Sequence, residues 1–471
     1  MSLPQDLRSE LSQLIGFSIQ SLAESGVCQD IVSDLVKGVD YSVVRAKLLP
    51  EVVRLAASEL RSIDRGPGGQ RIRPADELFT GLLMRYLERS RSCEFSQSLL
   101  DDILDELGPL IQLPRPNVTF ERFQAVSPIF SFKVEDSAAG FDVGEFTIRP
   151  ASAREHQLMH RLASIEQAVL PGWEPPELLP LWVAESYVDV TLDLDEQISA
   201  VRSISTTQDA SLLAKTFLGW RTKFLQQFRK TQGDVRTLLL ALRLLKTEPV
   251  FIPQVHLTNV LLPWQSFSMP LSASIYEHLW ENVYCLFRSD IPRVKNLYTN
   301  LSDTLRRAGE EKRRAYLLTA ASQFNKAGDE IDAADAFVHY VIALEAMYLR
   351  AVEKMELKRR VCERAATLLY DVVDRPEAYE TVGRLYDLRS AIVHAVLSES
   401  KKKGLEMHRG DIRELVRRSF LCFADLDRVY DNKDDILSLL DKSLLEGEDR
   451  PVSEIMRGVS LFRSFLEHPI D

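Results

Sequence analysis

In the stretch Leu385-Tyr386-Asp387-Leu388-Arg389-Ser390-Ala391-Ile392-Val393-His394, the apolar residues Leu385, Leu388 and Ile392 fall three and four positions apart. That spacing puts them on one stripe of a helix, and the stripe has to be packed into a core. The same demand covers the whole C-terminal part, since from Ile291 onward the sequence reads as helix to its end. Helices are expected near 310–326, 330–353, 356–371, 377–396 and 409–431, with 436–445 and 452–466 as terminal helices. Lys401-Lys402-Lys403-Gly404 is expected to be a solvated linker between the fourth and fifth.

Upstream, residues 6–112 also read as helices. Leu7, Leu11 and Leu14-Ile15 make one stripe; Val43 to Leu60 makes a second, interrupted at Pro50; Leu78 to Leu87 and Leu99 to Ile111 make two more. The loop Asp64 to Pro74 combines glycines with Arg65, Arg71 and Arg73. It lacks the Gly-x4-Gly-Lys-Ser/Thr pattern and a leading strand, so a surface loop is expected rather than a phosphate cradle.

Composition shifts at Leu113-Pro114-Arg115-Pro116. Phe130 to Val134, Glu145 to Arg149 and Val183 to Leu194 alternate as strands do, and Val250 to Leu262 reads as one or two strands bounded by Pro253 and Pro263. Asp189, Asp193 and Asp195 are expected to face solvent. A short helix at Ser152 to Ile165 carries His156 and His160, but without the Glu of His-Glu-x-x-His or a third ligand no zinc site is expected. Pro171 to Pro180 reads as a connector. Helical periodicity returns at Ser211 to Arg229 and at Val235 to Leu245. The fold class is therefore mainly α, with four regions: a helical 1–112, a mixed α/β 113–300, a helical bundle 305–445 and a helical extension 446–471.

The net charge of −11 argues against a surface coated for non-specific nucleic-acid or membrane binding, though not against a local basic site. No stretch approaches a membrane-spanning length of apolar residues. Met1 to Asp6 has neither a basic start nor an apolar run, so no signal peptide is expected. The five cysteines are scattered with no Cys-x-x-Cys pair, which fits a reducing cytoplasm better than a disulfide framework.

Within the opening stretch, Arg389 and His394 are five residues apart, about 140° around a helix, so one straight helix does not converge them by spacing alone. On that spacing the pair is compatible with a solvated arginine and a satisfied histidine. The side chain of Arg is long enough to reach around, or a second copy across a two-fold axis gathers the groups.

Three motifs add to this pair. They are Ala343-Leu344-Glu345-Ala346-Met347, then Arg364-Ala365-Ala366-Thr367-Leu368-Leu369, then Leu385 to His394. In order and spacing they resemble the Apea-like HEPN family, over roughly residues 305–445. The family often has Gly after the His, where Ala395 stands here, and Asn, Asp or His after the Arg, where Ser390 stands. The resemblance implies a HEPN-type helical bundle and a metal-independent endoribonuclease acting as a homodimer on RNA, with no cofactor. It also suggests a toxin-like or phage-defence role. Arg389 and His394 are then the candidate catalytic residues. Glu345 either orients Arg389 or pairs with Arg364, Ser390 is a supporting residue, and Lys401, Lys402 and Lys403 put cations near RNA. The alternative is a non-catalytic HEPN scaffold that dimerises and binds RNA or a nucleotide, with specificity in residues 1–300.

The chemistry is intelligible from residue types. RNA is cut when its own 2′-hydroxyl attacks the adjacent phosphate. That step needs a proton carrier that titrates near neutrality, which His supplies, and a fixed positive fork on the phosphate oxygens, which Arg supplies.

Overall fold

The computed structural model describes residues 5–37, 41–48, 75–111, 118–135, 140–156, 182–193, 210–260, 266–271, 283–330, 332–369, 374–394, 399–446 and 465. In chain order the elements are α1 (Gln5–Glu24), α2 (Cys28–Lys37), α3 (Tyr41–Lys47), α4 (Ala75–Ser90), α5 (Gln97–Ile111), β1 (Val118–Ile129), β2 (Phe132–Val134), β3 (Phe141–Val143), β4 (Phe146–Pro150) and β5 (Trp182–Asp193). Then come α6 (Ala210–Leu245), β6 (Gln254–Asn259), β7 (Ser266–Pro270), β8 (Tyr284–Leu286), α7 (Ile291–Glu310), α8 (Ala315–Asp329) and α9 (Ala333–Tyr348). The chain continues with α10 (Leu357–Leu368), α11 (Arg375–Val393), α12 (Glu399–Leu426) and α13 (Lys433–Glu446). The fold is mainly α. It divides into two units that interleave along the sequence: 1–128, 145–232 and 254–269 form the first, and 129–144, 233–253 and 270–471 the second.

In the first unit α1 to α5 share one core. Leu11, Ile15, Ile19 and Leu22 line α1 at spacings of four and three, and Phe79, Leu82, Leu83, Tyr86 and Leu87 line α4. The sheet runs in the order β4-β5-β1-β6-β7, with β4/β5 and β1/β6 antiparallel. Along β5, Ala184, Ser186, Val188 and Val190 are buried, while Glu185, Tyr187 and Asp189 lie on the other face, as the period of a strand requires. That polar face is tied together by Arg122 to Asp189 at 2.7 Å, by Gln124 to Glu185 at 2.7 Å and by Arg149 to Glu155 at 2.7 Å. Asp189 faces solvent as expected; Asp193 and Asp195, the loop 64–74, the connector 171–180 and His160 are not among the side chains described.

Three expectations change. Helical periodicity predicts two runs, 211–229 and 235–245, but the structure has one helix, α6, through Gly233 and Asp234. The glycine costs about 1 kcal/mol, too little to break a helix with apolar residues on both sides. Of the one or two strands expected across 250–262, the described residues form β6, whose burial alternates strictly, and Phe251 makes an isolated bridge to Phe130; residues 261–262 lie outside the described residues. Finally, Cys28 and Cys93 are joined by a disulfide across 65 residues of sequence, with their Cα atoms 6.0 Å apart. Distance along the chain hides their proximity in the core of α1 to α5.

In the second unit β2 and β8 pair in parallel, with Phe132 stacked on Tyr284. The helices α7 to α13 form the bundle. Helix α9 lies at its centre, buried on most sides by α8 and α12, in keeping with a sequence that is apolar nearly all round. Its start is fixed by Asp332, whose carboxylate accepts from the Ala334 N–H at 2.6 Å. The bundle follows the expected order of helices, with one correction: Lys401, Lys402, Lys403 and Gly404 belong to the first turns of α12 rather than to a linker. Lysine is a good helix former, and one glycine does not offset a 28-residue helix packed into the core. Among the described residues, no helix is long and apolar enough to cross a membrane.

In denaturant without reductant, Cys285, Cys362 and Cys422 should alkylate while Cys28 and Cys93 remain blocked until reduced. Alkylation of all five without reductant, read by mass spectrometry, would contradict the bond. Cys93→Ser should lower stability by an amount of the order of 4 kcal/mol on the chain-entropy account of a loop this long.

Candidate functional site

Helix α11 carries the Arg389/His394 pair at its C-terminal end. Pro376 sits in its first turn, where a missing N–H costs nothing, and the helix closes at His394, whose N–H donates to the Ser390 carbonyl at 3.1 Å. Its buried residues are Ala378, Val382 and Leu385. The spacing predicts that the apolar stripe continues through Leu388 and Ile392, but these are only half-buried and Val393 is 53% exposed. The reason is geometric. Helix α11 packs on α10 with its Gly383 beside Lys358 and Cys362, and its Asp387 pairs with Lys358 at 2.5 Å. Lys358 is only the second residue of α10, so the last turns of α11 run beyond their partner.

Arg389 is half-buried there, and its Nε is enclosed without a hydrogen-bond partner. His394 and Ser390 are exposed. Among the described residues no hydrogen bond or ion pair joins Arg389 to His394. The side chains of Lys401, Lys402 and Lys403 are not among those described; their backbone is in α12.

Glu345 does neither of the things expected of it. It is half-buried on α9 and accepts a short hydrogen bond from the Tyr386 hydroxyl. Burial, and then the bond to the Glu345 carboxylate, push the Tyr386 phenol far above its ordinary pKa. The phenol therefore stays protonated and acts as a donor.

Arg364 is not paired with Glu345 either. It is buried on α10 and spends its N–H groups on three partners: both oxygens of Glu353 at 2.8 and 2.9 Å, both oxygens of Asp441 at 2.7 and 3.0 Å, and the Tyr348 carbonyl at 2.6 Å. Its role is to join the end of α9, the connection after it, α10 and α13. The Arg364 hydrogen bonds outweigh burial and hold the Glu353 carboxyl at about 2. At Asp441 burial opposes ionisation, but Arg364 and Arg350 still bring its pKa below the usual range.

Sequence reasoning misses two functional neighbours. Tyr386 is three residues before Arg389 and shares its helix face, and Lys358 engages Asp387 beside it. The i, i+3 spacing of Tyr386 and Arg389 is a legible signal; the partner of Lys358 is not, because it lies on another helix. Among the described residues, no three His, Cys, Asp or Glu side chains gather in a way that would hold a metal ion.

Comparison with known protein families, with curated proteins and with solved structures finds no match to this chain.

The Glu353–Arg364 pair sets an acid limit on the bundle. The carboxyl is held at about 2 in the fold against a usual 4.5, so as the pH falls the unfolded chain takes up this proton first. Its stabilisation is complete above about pH 4.5 and is lost as the pH falls toward 2. Glu353→Gln should flatten the acid-unfolding profile in that window. It should also lower stability at neutral pH by about 3–5 kcal/mol, because it leaves a buried guanidinium short of a carboxylate. An unchanged acid profile, followed by circular dichroism, would contradict the assignment.

Proposed function

We propose that this chain is a metal-independent endoribonuclease that cuts RNA through attack of the 2′-hydroxyl on the adjacent phosphate, with Arg389 and His394 as its catalytic residues. The observation that carries this reading is at Arg389: among the described residues its guanidinium makes no ion pair and its Nε–H has no acceptor, at a helix end that also presents an exposed histidine. A guanidinium held in no internal ion pair keeps its planar fork available to phosphodiester oxygens. The three sequence motifs resembling the HEPN family support the same reading.

In this mechanism the Arg389 fork holds the non-bridging oxygens and stabilises the charge that develops on them. An interaction of this class is worth roughly 3–4 kcal/mol per well-placed donor. His394 exchanges the proton of the 2′-hydroxyl or of the leaving 5′-oxygen. A single chain offers one histidine, and the two proton transfers call for two. A homodimer related by a two-fold axis at this end of the bundle supplies the second His394. The exposed Val352 (81%), Met355 (79%) and Val393 (53%) give apolar surface for that contact. The start of α12, with Lys401, Lys402 and Lys403, follows within a few residues of His394 and adds positive charge for the RNA backbone. Such an effector acts in the cytoplasm, where its substrate is, and a toxin-like or phage-defence role fits an enzyme that depletes RNA.

The scaffold reading is favoured by one observation, the lack of a described contact between Arg389 and His394. In that reading the bundle dimerises and binds RNA or a nucleotide without cutting it, and residues 1–300 carry the specificity.

His394→Ala and Arg389→Ala should each reduce cleavage by about 100-fold or more while the fold, read by melting temperature, is kept. Losing His394 should remove the dependence of rate on pH around neutrality; losing Arg389 should lower the rate at every pH. A chelator should change nothing. A folded His394→Ala protein that cuts at the wild-type rate would contradict the nuclease reading at this site. RNA binding without turnover in both wild type and variants would favour the scaffold.

A further inference from the structure

The Glu345–Tyr386 hydrogen bond lies on the face of α11 that also carries Arg389. Three groups lie along α9 and α11: a half-buried carboxylate, a half-buried phenol donating to it, and, three residues further along the same face of α11, a half-buried guanidinium. The Arg389 side chain is long enough to reach from that face toward the Glu345 carboxylate, with which it would form a bidentate ion pair. Here it does not. Glu345 is engaged by the Tyr386 hydroxyl, and the Nε–H of Arg389, the donor such a pair would use, is left without an acceptor.

We infer that Tyr386 is a positioning residue: by occupying Glu345, its hydroxyl keeps the Arg389 guanidinium out of an internal ion pair and open to a phosphodiester. The inference rests on the function proposed above for Arg389 and deepens it. Because burial and Glu345 push its pKa up, the Tyr386 phenol stays protonated and remains a donor at neutral pH. The carboxylate matters as much as the hydroxyl. Without the negative charge of Glu345, nothing nearby competes for Arg389, and the hydroxyl becomes dispensable.

That dependence gives the inference a test that separates positioning from packing. Tyr386→Phe deletes one oxygen and frees Glu345 to capture Arg389. Glu345→Gln keeps an acceptor for Tyr386 but removes the charge. The double variant lacks both the hydroxyl and the charge that made it necessary. The probe is a single-stranded RNA with 2′-O-methyl groups throughout, which binds but cannot be cut at its own 2′-oxygen. Tyr386→Phe should weaken its binding by about tenfold, as should Arg389→Ala, the reduction expected for one charge-assisted hydrogen bond. The slope of log affinity against log salt should fall by about 0.7, the share of one neutralised phosphate on a single strand. Glu345→Gln should bind as wild type does, and the double variant should recover wild-type affinity.

A second readout needs no RNA. Arginine modification by phenylglyoxal, mapped by mass spectrometry, should reach Arg389 in wild type, be slowed in Tyr386→Phe, and return in the double variant. Wild-type behaviour of Tyr386→Phe in both readouts would overturn the inference, and so would a double variant as impaired as Tyr386→Phe. Wild type and Arg389→Ala binding the probe equally would overturn its phosphodiester half. If the binding and modification pattern holds but no variant, wild type included, cuts unmodified RNA, the positioning role stands and the nuclease reading falls.

Discussion

The last carbonyl groups of a helix have no N–H of their own helix to accept from, and in the second unit they are met by cationic side chains from other helices. At the end of α6, Arg417 donates to the Leu244 carbonyl at 2.6 Å, and Arg413 donates to the carbonyls of Arg243, Lys246 and Thr247. At the end of α9, Arg364 takes the Tyr348 carbonyl while Lys433 takes those of Ala346 and Leu349, at 3.0 and 2.5 Å. Just past α12, Arg314 takes the carbonyl and carboxylate of Asp427. Each is a charge-assisted bond to the negative end of a helix dipole, worth about 1.5–3 kcal/mol where the cation is a charged donor. Burial lowers the pKa of Arg413, Arg417 and Lys433, a measure of how far these cations have left water to make the bonds.

The candidate site inherits its shape from this arrangement. Arg364 fixes α10 against the end of α9 and against α13, and so fixes where α10 begins. Because α10 begins at Leu357, α11 loses its contact with α10 near Asp387 and continues past it. The stripe of apolar residues that fills a core in the first turns of α11 becomes a half-open surface in the last ones. Arg389 is half-buried on this helix, and its Nε has no hydrogen-bond partner among the described residues.

How much of this the sequence reveals varies with how local each feature is. Helical period alone places the bundle helices, because α7 to α13 each bury a stripe that repeats every three to four residues. The strand pattern of β5 is equally clear, since Glu185, Tyr187 and Asp189 alternate with buried neighbours. Features that depend on distant partners are hidden. Arg364 carries no local sign that it will meet Glu353 and Asp441, 11 residues before and 77 after it. Cys28 and Cys93 show no spacing that marks them as a pair. The run Lys401 to Gly404 reads as a linker because charge and glycine suggest solvent, although lysine favours helix and the downstream packing decides. At the site itself, Arg389 and His394 are legible as residue types, whereas the partner of Glu345 is not, because Tyr386 reaches it from a different helix.

In the proposed function, RNA is cut by its own 2′-hydroxyl at the end of α11 that carries Arg389 and His394. The chemistry of the product ends tests that claim most directly. Attack by the 2′-oxygen leaves a 2′,3′-cyclic phosphate on one fragment and a free 5′-hydroxyl on the other, and a substrate with a single 2′-deoxynucleotide at the cleaved position should resist cutting. Fragments carrying 5′-phosphate and 3′-hydroxyl ends, or efficient cutting at the 2′-deoxy position, would contradict it.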